Sequence, residues 1–462
     1  MAHPGRCAIY AVLGSTLMHT RLVTFALGGL LLAGCATAQP VPGPTPPAAT
    51  GPRREVLANG LVLITQEHRA AEVLALQLWV RVGGRDENAS ELGLSHYLEH
   101  MLFKGTPTRP PGSIDILIEG LGGSSNAFTS YDYTHYDVVV PARALRPAVE
   151  LLADIGVNAS FPPAEIDAEK AVVFEEMRLV EDDTEKFAAR RLSELAYSPH
   201  PYGRPILGTH DKIEALTREP LQAYYKKYYV PRNMALVVIG AVTHEQVRAA
   251  VEATFGKLPA GEVTRPQLQP PPALAGGRRA DVARPEQQAY LALGWKAAST
   301  SDPDTYAVDL LTYIIGDSPS SRLNVAVRER DRLVFSIESN YVPSQQAGLV
   351  NITARLEPAN LDRAEAAILQ VIRRVRDEGV TEAERERAVI TAEAHYAFDI
   401  ETAEGLAKDY GQGETTWTLE DELRYLERLR KVTAAEIQDM ARKYLAGDNF
   451  ARVRFLPRGD TR

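Results

Sequence analysis

The chain has 462 residues, 45% of them apolar and 24% charged, which is the make-up of an ordinary globular protein with room for more than one core. Its formal net charge of −9, with no basic stretch interleaved with aromatics, argues against nucleic-acid binding, which needs concentrated Lys and Arg. Both cysteines, Cys7 and Cys35, fall in the first 35 residues. The globular part can therefore hold neither a disulfide framework nor a thiolate metal site, and any metal there must be bound by His, Asp or Glu.

In chain order, His19 and Arg21 precede an apolar run from Leu22 to Ala33, too short to span a bilayer and suited to an export signal. Met18 is an alternative start to Met1. Leu32-Ala33-Gly34-Cys35 resembles a bacterial lipoprotein processing site, which implies lipidation of Cys35 and a membrane-anchored protein facing the periplasm. Cleavage after Ala36-Thr37-Ala38, giving a soluble periplasmic protein, is the alternative. Residues 36–53 read as a disordered tether, with six prolines between Gln39 and Pro52. No later segment is apolar enough to span a membrane.

An apolar strand follows over Val73–Val80, then Gly83-Gly84, then a helix expected from about Glu91 to Phe103. In that helix Leu94, Leu98, Met101 and Leu102 form a core-facing stripe. His96 and His100 are four apart, so both imidazoles leave one side of the helix about one turn apart. Two imidazoles so placed can grip one Zn2+ at about 2.0–2.1 Å. Glu99 lies beside them, where a carboxylate can take a proton from a water at the metal. With three protein ligands, zinc keeps a position for that water and lowers its pKa towards ~7.

His-x-x-Glu-His is the inverted zincin order. With its surroundings, Gly93 to Thr106, it closely resembles the pitrilysin/insulinase family of zinc peptidases, in the bacterial and mitochondrial-processing-type branch. The resemblance spans nearly all of residues 54–460. It implies a zinc metalloendopeptidase with Glu99 as general base and one Zn2+ per chain. It also implies a third ligand, at Glu176, 76 residues beyond His100. A helix starting at Pro162-Pro163 would carry Glu169 and Glu176 two turns apart on one face, with Glu175 as the rival ligand on another face. Glu169 matches the family's catalytic-site acid that orients a ligand; a solvated helix charge is the plain alternative.

Gly122-Gly123 leads into a strand pair in which the family implies substrate contacts at Asn126 and Ala127, through main-chain pairing to a strand edge. An ordinary hairpin is the alternative there. His135, an alternating strand residue, reads as structural.

Prolines and Gly276-Gly277 between 261 and 285 read as an interdomain linker. Beyond it the first half reads as repeated in order: a strand at Ala289–Trp295, a helix from about Thr305, and Glu386 to Glu393 matching Glu169 to Glu176. The expected fold class is α+β, two homologous α/β sandwich domains (54–260 catalytic, 286–462 non-catalytic), each a sheet with helices packed on one face, together forming a clamshell half. The second half has no metal motif. The family keeps there an Arg and a Tyr seven apart that bind substrate. This chain has Arg328 but Phe335, which lacks the hydroxyl. Expected partners are a peptide substrate and a second chain, as a dimer and possibly a heterodimer with a metal-free relative that supplies the Arg-Tyr pair. A non-catalytic peptide-binding or scaffold subunit of the same fold is the alternative function.

Overall fold

The computed structural model describes residues 51–265, 267–274 and 276–458; the expected signal, Cys35 and the tether up to residue 50 lie outside them. Strands β1 (Arg53–Val56), β2 (Val62–Glu67), β3 (Val73–Val80), β4 (Ser124–Thr129), β5 (Thr134–Pro141) and β6 (Met234–Gly240) form one sheet, in the order β1-β2-β6-β3-β5-β4. Strands β7 (Arg278–Arg284), β8 (Ala289–Ala297), β9 (Ser336–Val342), β10 (Gly348–Leu356) and β11 (Ala451–Pro457) form the other, in the order β7-β11-β8-β10-β9. Leaving β1 aside, the two orders coincide. In each sheet the first strand runs parallel to the last, which is followed by the second, fourth and third. Long-range pairing of this kind is not dictated by local pattern, so its recurrence supports two copies of one α+β unit.

The stretch 261–285 is a linker only in part. β7 occupies its end and pairs with β11 as an edge strand. The reason is that an edge strand, solvated on one side, tolerates the arginine-rich sequence Arg-Arg-Ala-Asp-Val-Ala-Arg that reads as a break.

The first half carries α1 (Leu94–Leu102), α2 (Ser113–Gly120), α3 (Leu145–Asn158), α4 (Pro163–Asp182), α5 (Thr184–Tyr197), α6 (His210–Glu214), α7 (Arg218–Tyr228) and α8 (His244–Ala253). The second carries α9 (Thr305–Ile315), α10 (Leu361–Glu378), α11 (Glu382–Asp399), α12 (Ala403–Thr416), α13 (Leu419–Leu423), α14 (Tyr425–Lys431) and α15 (Ala434–Tyr444). Among the described residues no helix is long and apolar enough to cross a membrane.

Strand alternation sorts β3 onto two cores. Leu74, Leu76, Leu78 and Val80 pack with Leu98 and Met101 of α1 and Leu151 of α3. Ala75 and Trp79 point the other way and meet Leu406, Ala407 and Tyr410 of α12, a helix of the second half. The exchange is reciprocal: Ala188, Leu192 and Ala196 of α5 cover Tyr290 and Ala292 of β8 and Val453 and Phe455 of β11. Each sheet thus has its own helices on one face, as expected, and a helix from the other half on the opposite face. Burial on both faces explains why β3 and β8 are almost continuously apolar.

Two glycines permit these crossings. A Cβ at Gly411 of α12 would overlap the Trp79 indole, and one at Gly294 of β8 would lie 3.0 Å from Leu192 of α5. Polar ties reinforce the contact. Glu414 of α12 is buried and accepts from Arg54 (2.8 Å) and Arg81 (2.8 Å) of the first half. The arrangement leaves β4 as the outer strand of the first sheet, beside α5 and below α1 and α4.

Candidate metal centre

α1 is short and wholly buried. Its start is set by Gly93, whose φ of 90° suits a residue without a Cβ, and by Glu87, whose carboxylate accepts from the backbone N–H groups of Gly93 (2.9 Å) and Ser95 (2.8 Å). Glu87 was not legible as a capping residue, because it lies six positions before Gly93 and is brought back by the turn between them. Tyr97 donates to the carbonyl of Ile166 and ties α1 to α4. α4 starts with Pro163 at its first position, as the Pro162-Pro163 pair suggests.

These two helices bring His96, His100 and Glu176 together. Their donor atoms all lie within 4.8 Å of one another, and all three residues are buried. His96 Nε2 is 3.4 Å and His100 Nε2 3.5 Å from the same carboxylate oxygen, Glu176 Oε2. A tetrahedral ion with bonds of about 2.0–2.1 Å sets neighbouring ligand atoms roughly 3.3–3.4 Å apart. The separations match the edges of such a tetrahedron. Glu176 Oε2 is also buried with no hydrogen-bond partner among the described residues, a costly state unless another group satisfies it. The two-imidazole, one-carboxylate set suits zinc. Burial, and then the neighbouring His100, hold the His96 imidazole well below its ordinary pKa, which keeps it neutral and able to donate a lone pair. Glu175, the rival, is exposed and paired with Arg178.

Glu99 sits beside the imidazoles and is 4% exposed. Burial raises its pKa. Thr129, the last residue of β4, donates to Glu99 Oε2 at 2.6 Å. Thr129 was missed in the sequence, since only the pairing of β4 with β5 brings the strand end under α1.

Glu169, two turns before Glu176, is not a solvated charge. It is buried; its Oε2 lies 2.9 Å from His100 Nδ1, and Lys104 Nζ lies 2.5 Å from its Oε1. Burial pushes the Glu169 carboxyl up, but the bonds to His100 and Lys104 outweigh that and hold it below its usual pKa. Lys104, like Glu87 and Thr129, was not legible in the sequence as part of the site.

A cavity of about 700 Å3 opens on this cluster, lined by His96, Glu99 and Glu176 with Phe128, Phe174 and Met177. A second cavity of about 530 Å3 lies between the two sheets and adjoins the first, with Phe128, Tyr131 and Ala189 lining both. Asn126 and Phe128 line that second cavity, while Ala127 points into the core on the metal side, as strand alternation requires. His135 is not in the metal group. It stacks on Trp79 at 4.2 Å and bonds to Asp137 at 2.8 Å. Arg328, in the π-helical turn 324–330 of the second half, lies outside the walls of both cavities, and its side chain is half-exposed. Phe335 just before β9 is 48% exposed. Glu386 and Glu393 stand on α11 as the repeat implies, with Glu393 paired to Arg430.

Residues 62–210 match the family described as Insulinase (Peptidase family M16), and residues 215–391 match Peptidase M16 inactive domain. An uncharacterized zinc protease of Streptomyces coelicolor is 30% identical over 404 residues, 85% of this chain and 87% of that protein. An uncharacterized zinc protease of Mycobacterium bovis is 30% identical over 411 residues, 87% of this chain and 92% of that protein. A protease from Helicobacter pylori, known as a crystal structure, superposes with a TM-score of 0.83 at 24% identity, over 88% of this chain and 100% of that one.

Proposed function

The chain belongs to the insulinase-type M16 family of peptidases, and from that membership we propose that it is a zinc-dependent metalloendopeptidase acting on peptides or unfolded polypeptides. The observation that carries the proposal is the buried convergence of His96, His100 and Glu176, with Glu99 held beside them by Thr129. A bound zinc would supply a Lewis acid that polarises the scissile carbonyl and eases deprotonation of the attacking water.

The chain's own residues would do the rest. His96 and His100 present Nε2, and Glu176 presents Oε2, to one ion. Glu99, with one oxygen engaged by Thr129, takes the proton of the attacking water on the other and later gives it to the departing amine. The outer edge of β4, at Asn126 and Ala127, offers main-chain groups to an extended peptide. The adjoining cavities of about 700 and 530 Å3 along β4 suit the side chains of such a strand and exclude a folded domain.

The working location is a periplasm-facing lipoprotein anchored through Cys35. The working assembly is a dimer. Arg328 stands apart from the metal cavity of its own chain and Phe335 has no hydroxyl, so a second chain would supply the missing Arg-Tyr function. The second reading, a non-catalytic peptide-binding subunit, draws its support from that same exposed Phe335.

Metal analysis of protein purified without chelators, together with hydrolysis of quenched peptides, tests the proposal. Glu99→Gln is expected to keep zinc and lose cleavage. Glu176→Gln is expected to lose both, and Glu175→Gln neither. Zinc bound with no cleavage, with or without a metal-free partner chain, would support the subunit reading. A wild-type protein that binds no zinc would defeat the peptidase assignment.

A further inference from the structure

The metal-facing atoms of His100 and the residue that aims them are tied to a third side chain just beyond the end of α1. Lys104 Nζ lies 2.5 Å from Glu169 Oε1, and the other oxygen of the same carboxylate, Oε2, lies 2.9 Å from His100 Nδ1. His100 Nε2, on the far side of the ring, faces Glu176. The four groups form a line: ammonium, carboxylate, imidazole, metal donor set.

The geometry points to Lys104 as a positioning residue for the metal centre, acting through Glu169 on His100. The inference rests on the metal-centre reading above. A carboxylate on a helix side chain has two ways to point its oxygens and a χ3 torsion that rotates freely in water. Glu169 is held in one orientation because each oxygen has its own cationic or N–H donor. With Oε1 anchored by Lys104, Oε2 remains on Nδ1. Nδ1 then carries the ring proton, and the lone pair is on Nε2, where the metal must sit. The anchor comes from outside the helix pair, whose His96, His100 and Glu176 form the candidate donor set and whose Tyr97 ties the two helices together. Lys104 meets this need from the first turn of chain after α1, and its side chain is 32% exposed against 7% for Glu169, so it bridges a buried acid to the surface.

A contact of this kind differs in consequence from a surface ion pair, which adds little on its own. Here the ion pair restrains a group that restrains a ligand, and its loss is read at the metal.

The test is zinc affinity by chelator competition on the full chain, with histidine 15N NMR of the zinc-loaded protein as a readout independent of activity. Lys104→Met is expected to weaken zinc roughly tenfold, the lower end of the effect of outer-shell partners, and to broaden or lose the Nδ1–H signal of His100. Lys104→Arg, which keeps a cationic donor, is expected to restore most of both. In a Glu169→Gln background, Lys104→Met is expected to have little further effect, because the route through the carboxylate is already cut. Zinc affinity in Lys104→Met equal to wild type overturns the inference, and so does an undiminished effect in the Glu169→Gln background. A wild-type chain that binds no zinc overturns the metal-centre reading as well.

Discussion

Thr129 Oγ1 and Glu99 Oε2 are 2.6 Å apart, so the final hydroxyl of the outer strand fixes the carboxylate that stands over the metal donors. Strand and helix meet at that bond: the same β4 whose edge is proposed to pair with a peptide also holds the carboxylate proposed as the base.

Replacing Thr129 by Val keeps the shape and removes the donor. A hydrogen bond to a charged group is worth roughly 1.5–3 kcal/mol, and only part of this falls on the transition state. Thr129→Val is expected to lower kcat about tenfold with KM little changed, and Thr129→Ser to recover most of it. Steady-state kinetics on a quenched peptide check this. An unchanged kcat would mean Glu99 is oriented by other groups.

The exchange of α5 and α12 makes each half depend on the other. Gly411 lies against the Trp79 indole with no room for a methyl group. Gly411→Ala should force α12 away from β3, at a cost of about 1–3 kcal/mol for an overpacked core. Urea denaturation should show a lower midpoint. If the halves were merely adjacent, the substitution would leave stability unchanged or raise it slightly, as Ala does in a free helix.

α12 also carries Asp409, which is paired with Glu422 of α13. Burial, then the neighbouring carboxylate, holds Glu422 above its usual range, and burial does the same for Asp409. Tyr396 donates to Asp409 at 3.3 Å and Trp417 to Glu422 at 3.0 Å. Folded-state pKa values above the unfolded ones mean that the native chain binds more protons above about pH 4. The pair's contribution is therefore complete in acid and falls as pH rises through neutrality. Asp409→Asn removes one of the two charges. It is expected to be more stable than wild type at pH 8, with the difference shrinking towards pH 5. Urea midpoints across pH check the sign; a difference that grows in acid would refute the raised carboxyl pair.

Much of the site was legible in the chain itself. His96, Glu99 and His100 share a helical stretch, where a spacing of four implies a common face because the α-helix turns every 3.6 residues. The same rule puts Glu169 and Glu176 on one face of α4, and the family resemblance singles them out. The strands at Val73–Val80 and Ala289–Trp295 were legible because apolar runs bounded by glycines and turn residues leave few alternatives. What local pattern could not supply was any partner brought from elsewhere. Thr129 and Lys104 look like ordinary polar residues in sequence, and β7 looks like a break, because each takes its meaning from a neighbour far along the chain; Glu87 takes its own from a turn that local pattern does not reveal.

The division has one physical cause. Periodicity and spacing decide which residues share a face of an element, and so the sequence by itself placed His96 and His100 on one face of α1 and Glu169 and Glu176 on one face of α4, and showed the doubled α+β plan. Packing decides which faces meet. Only the tertiary structure decided that Glu169 is a buried bridge between Lys104 and His100, and that Arg328 stands apart from the metal cavity. It also decided that each half lends a helix to the other's sheet, a contact that buries apolar surface on strands whose alternation shows only that both faces are dry, not what covers them.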